Sequence, residues 1–180
     1  IGIDLGRKTT DVCSDGTELH ASRFYRESQQ QLAVAQRANK KQRRKAIHAK
    51  IANRRKDAQH KFTTELVKRC QAIYVGDVSA SKLVKTSMAK SVYDAGWSQL
   101  KTMLKYKCDH AGIVFKVVNE SYTTQTCSSC GALPDSRPRG IAGLGIREWT
   151  CDCGVSHNRD INAAKNILAV GLGRPVEGNR

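Results

Sequence analysis

The chain has 180 residues, enough to bury one main hydrophobic core with a small appendage. Its 31 Lys and Arg residues against 16 Asp and Glu residues give a net charge of +15, which favours a polyanionic partner, nucleic acid ahead of a membrane surface. No run of 18 apolar residues and no signal peptide is visible, so we predict a cytoplasmic protein without a membrane-spanning helix. Because the sequence begins without Met and inside a predicted strand, we expect further residues upstream.

The first six residues place Asp4 in a short apolar run bounded by glycines, which predicts a buried strand. A carboxylate there needs a hydrogen-bonded partner, a basic neighbour or a metal ion. A second acid, Asp160, stands at the predicted start of a helix near the other end of the chain. Two acids on buried elements far apart in sequence suggest one shared metal site.

The segments 10–15 and 17–24 flank Asp15-Gly16 and predict a hairpin, so the chain should open with three antiparallel strands. From about Gln29 to Arg69, apolar residues recur at helical spacing. The opposite face of this helical stretch is strongly basic. We name the predicted phosphate-binding residues of this face the basic segment; they are Arg37, Lys40, Lys41, Arg43, Arg44, Lys45, Arg54, Arg55 and Lys56. A solvated helix face is the alternative interpretation.

A strand–helix–strand unit is predicted next, with a strand over 72–75, a helix from about Ser91 to His110 that ends at Gly112, and a strand over 113–118. This spacing makes the two strands parallel neighbours joined by a right-handed crossover. Their carboxyl ends therefore open on the same edge of the sheet, where α/β sheets place ligands.

Seven cysteines are present, and four of them stand in two close pairs, Cys127 with Cys130 and Cys151 with Cys153. Metal binding fits this clustering better than a disulfide framework. Four thiolates suit a tetrahedral Zn²⁺ site of structural type, with no open position for a substrate. The second pair has C-x-C rather than C-x-x-C spacing, so His157 is a possible substitute ligand. Four free cysteines without metal are the alternative.

Taken together, these features resemble the TnpB family, the transposon-encoded RNA-guided nucleases related to type V CRISPR effectors. The resemblance covers nearly the whole chain and rests on the segments 2–6, 51–57, 90–97, 127–131 and 159–164. It implies an α/β fold of the RNase H-like (RuvC-like) type, a mixed five-stranded sheet with flanking helices and an inserted zinc ribbon. The implied boundaries are a nuclease domain over 1–124 and 157–170, a ribbon over 125–156, and a flexible tail over 171–180.

The resemblance also implies an RNA-guided DNA endonuclease with two Mg²⁺ ions, for which Mn²⁺ can substitute, and a structural Zn²⁺. The implied partners are a guide RNA, a target DNA and an amino-terminal RNA-binding and target-recognition region of the same protein. Two of the family's three catalytic carboxylates map onto Asp4 and Asp160. The third, usually a Glu after the fourth strand, falls on Gly76, which binds no metal. The family commonly has Asp where this chain has Asn158.

Three explanations account for the missing glutamate. Glu120, at the end of the neighbouring strand, could reach the position left by Gly76 and complete a site with Asp4 and Asp160. Asp77 could serve instead, although alternation along a strand points it to the opposite face. The chain could also be an inactive RNA-guided DNA-binding protein that represses by occupancy. A classical transposase has less support, because three acids alone do not distinguish it.

Overall fold

A computed structural model of the protein describes residues 1–6, 11–20, 23–78, 96–139 and 142–174. The segment 90–97 used above lies mostly outside these residues, as does most of the predicted tail. The described elements, in chain order, are β1 (Gly2–Asp4), β2 (Asp11–Cys13), β3 (Glu18–Leu19), α1 (Arg23–Arg37), α2 (Lys41–Arg69), β4 (Ala72–Gly76), α3 (Trp97–Ala111), β5 (Val114–Val118), a short 3₁₀ helix (Ala142–Gly145), β6 (Glu148–Thr150), β7 (Ser156–Asn158) and α4 (Arg159–Gly171). In these described ranges, no helix has the length and apolar character needed to cross a membrane.

The main sheet has five strands in the order β3-β2-β1-β4-β5. The pairs β3-β2 and β2-β1 are antiparallel, whereas β1-β4 and β4-β5 are parallel. The predicted mixed five-stranded sheet and the parallel pairing across α3 are therefore confirmed. Gly112 ends α3 in the left-handed conformation with a φ of 67°, as the sequence predicted, because glycine adopts this geometry without steric cost.

Strand alternation gives the sheet two different faces. One face packs against α2 and α3 in a core that includes Ile3, Val75, Leu66 and Leu104, all fully buried. The other face receives α4, and Gly2 permits that contact. A Cβ on Gly2 would lie 2.1 Å from a backbone oxygen of α4, so only glycine lets the helix come this close to β1.

The predicted helical stretch from Gln29 to Arg69 is two helices, α1 and α2, rather than one. It begins at Arg23, six residues before the predicted start at Gln29. Helix α1 ends at Arg37. Two residues later the chain turns at Asn39, whose φ is 50°, and Lys40 donates its backbone N–H to the Ala35 oxygen at 2.9 Å. This closure satisfies the last carbonyls of α1 and lets the chain reverse direction. The predicted strand over 17–24 is likewise shorter than expected, because Phe24 belongs to α1, where the Arg54 guanidinium lies 4.6 Å from its ring centroid.

Candidate functional site

The end of β1 brings Asp4 to the face of the sheet that α4 covers. Ile3 pairs with Val75 of β4, and both residues are fully buried on the opposite face. Alternation therefore places Asp4 and Gly76 on the same face and at the same edge. Asp4 is half-buried, so solvent and a ligand can both reach this position.

Glu120 occupies the space beside Gly76. Val118, the last residue of β5, pairs with Gly76. Glu120 follows Val118 by two residues, so strand alternation places both on the same face of the sheet. A Cβ built on Gly76 would lie 2.7 Å from Oε2 of Glu120 and 3.4 Å from its Cβ. The Glu120 carboxylate thus lies where a side chain from position 76 would otherwise start, and Glu120 itself is half-buried.

Asp77 has a different environment. Its side chain is 68% exposed, and its Oδ1 lies 3.9 Å from Nζ of Lys101 on α3, the helix that packs on the opposite face. This placement agrees with the alternation of β4. It gives no support to Asp77 as the replacement for the missing glutamate.

Asp160 lies in the first turn of α4, and the helix start is capped by Asn158. The Asn158 Oδ1 accepts backbone N–H bonds from Asp160 at 3.1 Å and Ile161 at 3.2 Å. Asn158 therefore has a clear local role as the N-cap of α4. A carboxylate in the first turn is also favoured by the helix dipole.

Two guanidinium groups engage the Asp160 carboxylate. Arg159 approaches Oδ1 at 2.9 Å, and Arg147, which precedes β6, contacts Oδ2. The backbone N–H of Arg159 also donates to the Arg147 oxygen at 2.8 Å. Arg147 therefore contacts the start of α4 twice, through this backbone bond and through its ion pair with Asp160. A cation that binds Asp160 has to compete with these two arginines.

The structure does not gather Asp4, Glu120 and Asp160 into one ligand cluster. Within the described ranges, the four cysteines form the only group of three or more Cys, His, Asp or Glu side chains that could hold one metal ion. Asp4 and Glu120 share the face and edge described above, whereas Asp160 faces its arginines.

Sequence reasoning missed one acidic residue near this edge, Asp11 on β2. It is only 3% exposed. Burial and, second to it, the negative charge of Asp4 raise the pKa of the Asp11 carboxyl well above its usual value, and contacts with the Trp97 side chain and the Gly6 backbone offset only part of this rise. The signal was available in the sequence, since Asp11 interrupts the predicted strand over 10–15.

The sulfur atoms of Cys127, Cys130, Cys151 and Cys153 all lie within 4.8 Å of one another. The Cys127–Cys153 and Cys130–Cys151 sulfur pairs are 3.8 and 3.7 Å apart. A tetrahedral Zn²⁺ with Zn–S bonds of about 2.3 Å requires sulfur separations of about 3.8 Å, so the cluster has the right size for zinc. The C-x-C pair contributes both of its sulfurs.

The two cysteine turns share one backbone pattern, and the second is one residue shorter. In the first, Gly131 donates to the Cys127 oxygen at 2.8 Å; in the second, Gly154 donates to the Cys151 oxygen at 2.8 Å. Both glycines have a φ above 80°, a conformation that other residues rarely adopt. With Gly154 in this conformation, the shorter C-x-C turn brings both of its sulfurs into the cluster.

His157 lies beside the cluster. Its Nε2 is 3.0 Å from the Cys127 sulfur, and its ring packs at a tilt of 38° against the Trp149 ring with centroids 4.8 Å apart. Burial acts to raise the pKa of the Cys127 thiol, but backbone N–H groups of Cys130 and Ser129 and the His157 ring outweigh it and lower the pKa to about 6. A lower pKa favours the thiolate form of Cys127, which is the form that binds a metal.

The basic segment extends from the end of α1 along the first half of α2. Most of its side chains are exposed, and Arg44 and Arg55 are half-buried. Arg54 forms an ion pair with Glu27 of α1 at 3.0 Å. An exposed, one-sided run of cations of this kind is suited to contact with a phosphate backbone.

Two family models match the chain. Residues 1–87 match a model described as "Probable transposase", and residues 97–167 match one described as "Cas12f1-like, TNB domain".

Curated relatives extend the match over almost the whole chain. A "Putative RNA-guided DNA endonuclease" of Streptomyces pristinaespiralis is 36% identical over 99% of this chain and 47% of its own length. The "Putative RNA-guided DNA endonuclease InsQ" of Escherichia coli strain K12 is 30% identical over 95% of this chain and 48% of its own length. The CRISPR-associated endodeoxyribonuclease Cas12f1 of Sulfoacidibacillus thermotolerans is 30% identical over 67% of this chain and 28% of its own length. The chain thus spans about half the length of the first two relatives.

Among solved structures, a chain of the Cas12f1-sgRNA-target DNA complex superposes with a TM-score of 0.67 at 18% sequence identity. The superposition covers 92% of this chain and 48% of that chain. The likeness confirms the predicted fold class, the α/β architecture built on a mixed five-stranded sheet.

Proposed function

The chain belongs to the TnpB family, and on that premise we propose that it forms the nuclease domain of an RNA-guided DNA endonuclease, with Asp4, Glu120 and Asp160 as its catalytic carboxylates. The observation that carries the proposal is the position of Glu120, whose Oε2 lies 2.7 Å from where a Cβ on Gly76 would be. A glutamate two residues beyond β5 thereby supplies the carboxylate that position 76 lacks.

The donor set at this edge fits a hard divalent cation such as Mg²⁺, which prefers carboxylate oxygens. When bound, two such ions activate a water and neutralise the leaving oxygen of a phosphodiester. Asp4 and Glu120 on the sheet and Asp160 at the start of α4 would be the residues that hold these cations. Binding at Asp160 requires its carboxylate to leave at least one of its two arginines.

Residues 1–124 and 157–170 would form the nuclease domain, and residues 125–156 a zinc ribbon held by the four cysteines. A guide RNA and a target DNA are the proposed partners. Support comes from the exposed basic segment and from the similar solved structure, which is a complex of Cas12f1 with an sgRNA and a target DNA.

A nuclease-inactive DNA-binding protein is the second candidate function. Two observations favour it, the glycine at position 76 and the ion pairs that neutralise Asp160. Such a protein would bind its target through the same guide RNA and repress by occupancy.

The test uses the full-length protein loaded with its guide RNA. Glu120→Gln should abolish Mg²⁺-dependent cleavage of a matched DNA target while target binding is kept. The matched control is Glu65→Gln, which makes the same chemical change at an exposed position on α2 and should cut like the wild type. Full cutting by Glu120→Gln would refute the assignment of Glu120. A wild-type complex that binds its target but never cuts it in Mg²⁺ or Mn²⁺ would establish the second candidate.

A further inference from the structure

Two buried asparagines on α4 bind the same turn of the chain, residues 121–126, which we call the turn after β5. Asn162 and Asn166 stand one helical turn apart and are 1% and 4% exposed. The Asn162 Nδ2 donates to the Thr123 oxygen at 3.2 Å and to the Thr126 oxygen at 2.8 Å; the Asn166 Nδ2 donates to the same two oxygens at 2.8 and 2.7 Å. A buried amide is costly unless it is hydrogen-bonded, and here one turn supplies the partners for both.

Asn162 makes one bond that Asn166 does not share. Its Oδ1 accepts the backbone N–H of Ser128 at 2.9 Å. Ser128 directly follows Cys127, the residue at the start of the first cysteine turn. One side chain on α4 therefore contacts both the turn after β5 and the backbone of the cysteine cluster.

The same turn also holds Glu120. Thr123 donates to the Glu120 backbone oxygen twice, from its N–H at 3.2 Å and from its Oγ1 at 2.7 Å. On the helix side, Asn162 follows Asp160 by two residues. The bonds of Asn162 thus join the segments that carry Glu120, Asp160 and Cys127, which are far apart in the sequence.

We propose that Asn162 is a positioning residue that couples the cysteine cluster to the carboxylates at the sheet edge, and that Asn166 fixes only the turn after β5. This inference rests on the proposed function. Asn162 touches no reacting atom. Through its bond to Thr123 it sets the position of Glu120 relative to Asp160. Through its bond to Ser128 it holds the first cysteine turn against α4. Loading of the cysteine cluster and divalent-cation binding at the carboxylates should therefore both depend on Asn162.

The experiment compares Asn162→Ala with Asn166→Ala in the full-length protein bound to its guide RNA. Residues that orient metal ligands typically contribute about 10-fold to 100-fold to metal affinity. Both variants should raise the Mg²⁺ concentration for half-maximal cleavage by at least about tenfold, and saturating Mg²⁺ should restore the rate. Only Asn162→Ala should also release zinc faster to a competing chelator, because only Asn162 contacts the cysteine turn.

Two further measurements separate positioning from loss of folding and from failure of the proposed function. Binding of Mn²⁺, followed by the electron paramagnetic resonance of the free ion, needs no cleavage and should weaken in both variants. Asn162→Asp keeps the side-chain volume and the acceptor for Ser128, so it should weaken Mn²⁺ binding and leave zinc release unchanged. If the wild type never cuts DNA, the Mn²⁺ and zinc measurements still decide the inference.

Unchanged Mn²⁺ binding and unchanged zinc release in Asn162→Ala would overturn the inference that Asn162 positions both sites. Equal zinc release from the two alanine variants would also overturn the assignment to Asn162. Normal Mn²⁺ binding in both variants, together with a lower melting temperature, would reduce the pair to a packing role.

Discussion

Asp11 should make the stability of the β1-β2 part of the sheet depend on pH. Burial and the nearby charge of Asp4 raise the pKa of this carboxyl in the folded chain. A raised pKa means that the folded state binds the proton more tightly than the unfolded state. The stabilisation is therefore fully present below the ordinary pKa of about 3.9 and is lost as the pH rises towards the folded pKa, at about 1.4 kcal/mol per pH unit.

Asp11→Asn removes the titration and keeps the size of the side chain. Hydrogen exchange of the β1 and β2 amides, corrected for the intrinsic effect of pH, reports the opening free energy of this part of the sheet. Across the range in which Asp11 titrates, the wild-type opening free energy should fall by about 1.4 kcal/mol per pH unit relative to the variant. The control Asp109→Asn makes the same change at an exposed position on α3 and should follow the wild type. Identical pH profiles for the wild type and Asp11→Asn would show that folding does not raise the pKa of Asp11.

Three further predictions concern the packing of α4, the cysteine cluster and the basic segment. Gly2→Ala puts a Cβ 2.1 Å from the α4 backbone and should destabilise the protein by about 1 to 3 kcal/mol in thermal unfolding, whereas Gly145→Ala, with no atom within 4 Å, should not. Cys127→Ser should abolish a zinc content of about one ion per chain in elemental analysis, and Cys70→Ser, outside the cluster, should retain it. Arg43→Gln should weaken nucleic-acid binding equally for all target sequences and reduce the salt slope by about 0.9 in a binding titration; a sequence-dependent loss would contradict a phosphate contact.

Much of the sheet could be predicted because its strands and helices carry strong local signals. The run of buried residues in β4, the helical spacing of α3 and the glycine at position 112 all gave correct elements. The chain reversal at Asn39 was missed because α1 and α2 both show helical periodicity, and only the left-handed conformation of one asparagine separates them.

The candidate site was predictable where it depends on strand order and unpredictable where it depends on long side chains. Strand pairing alone suggested that Glu120 could reach the position of Gly76, and its Oε2 lies 2.7 Å from where a Cβ on Gly76 would be; the role of Glu120 in catalysis stays a prediction. No periodicity indicated that Arg147 and Arg159 would engage Asp160, because arginine side chains meet partners on elements far away in sequence. The connections made by Asn162 have the same origin, since a buried amide leaves no pattern that identifies its partners.

The most direct test of the account moves the carboxylate back to position 76. The double variant Gly76→Glu with Glu120→Ala removes the side chain whose Oε2 lies 2.7 Å from the new Cβ and places a glutamate in the same space. In the full-length, guide-loaded protein, Glu120→Ala alone should not cut DNA in Mg²⁺, and the double variant should recover cleavage. Undiminished cutting by Glu120→Ala alone would contradict the claim that Glu120 supplies the third carboxylate.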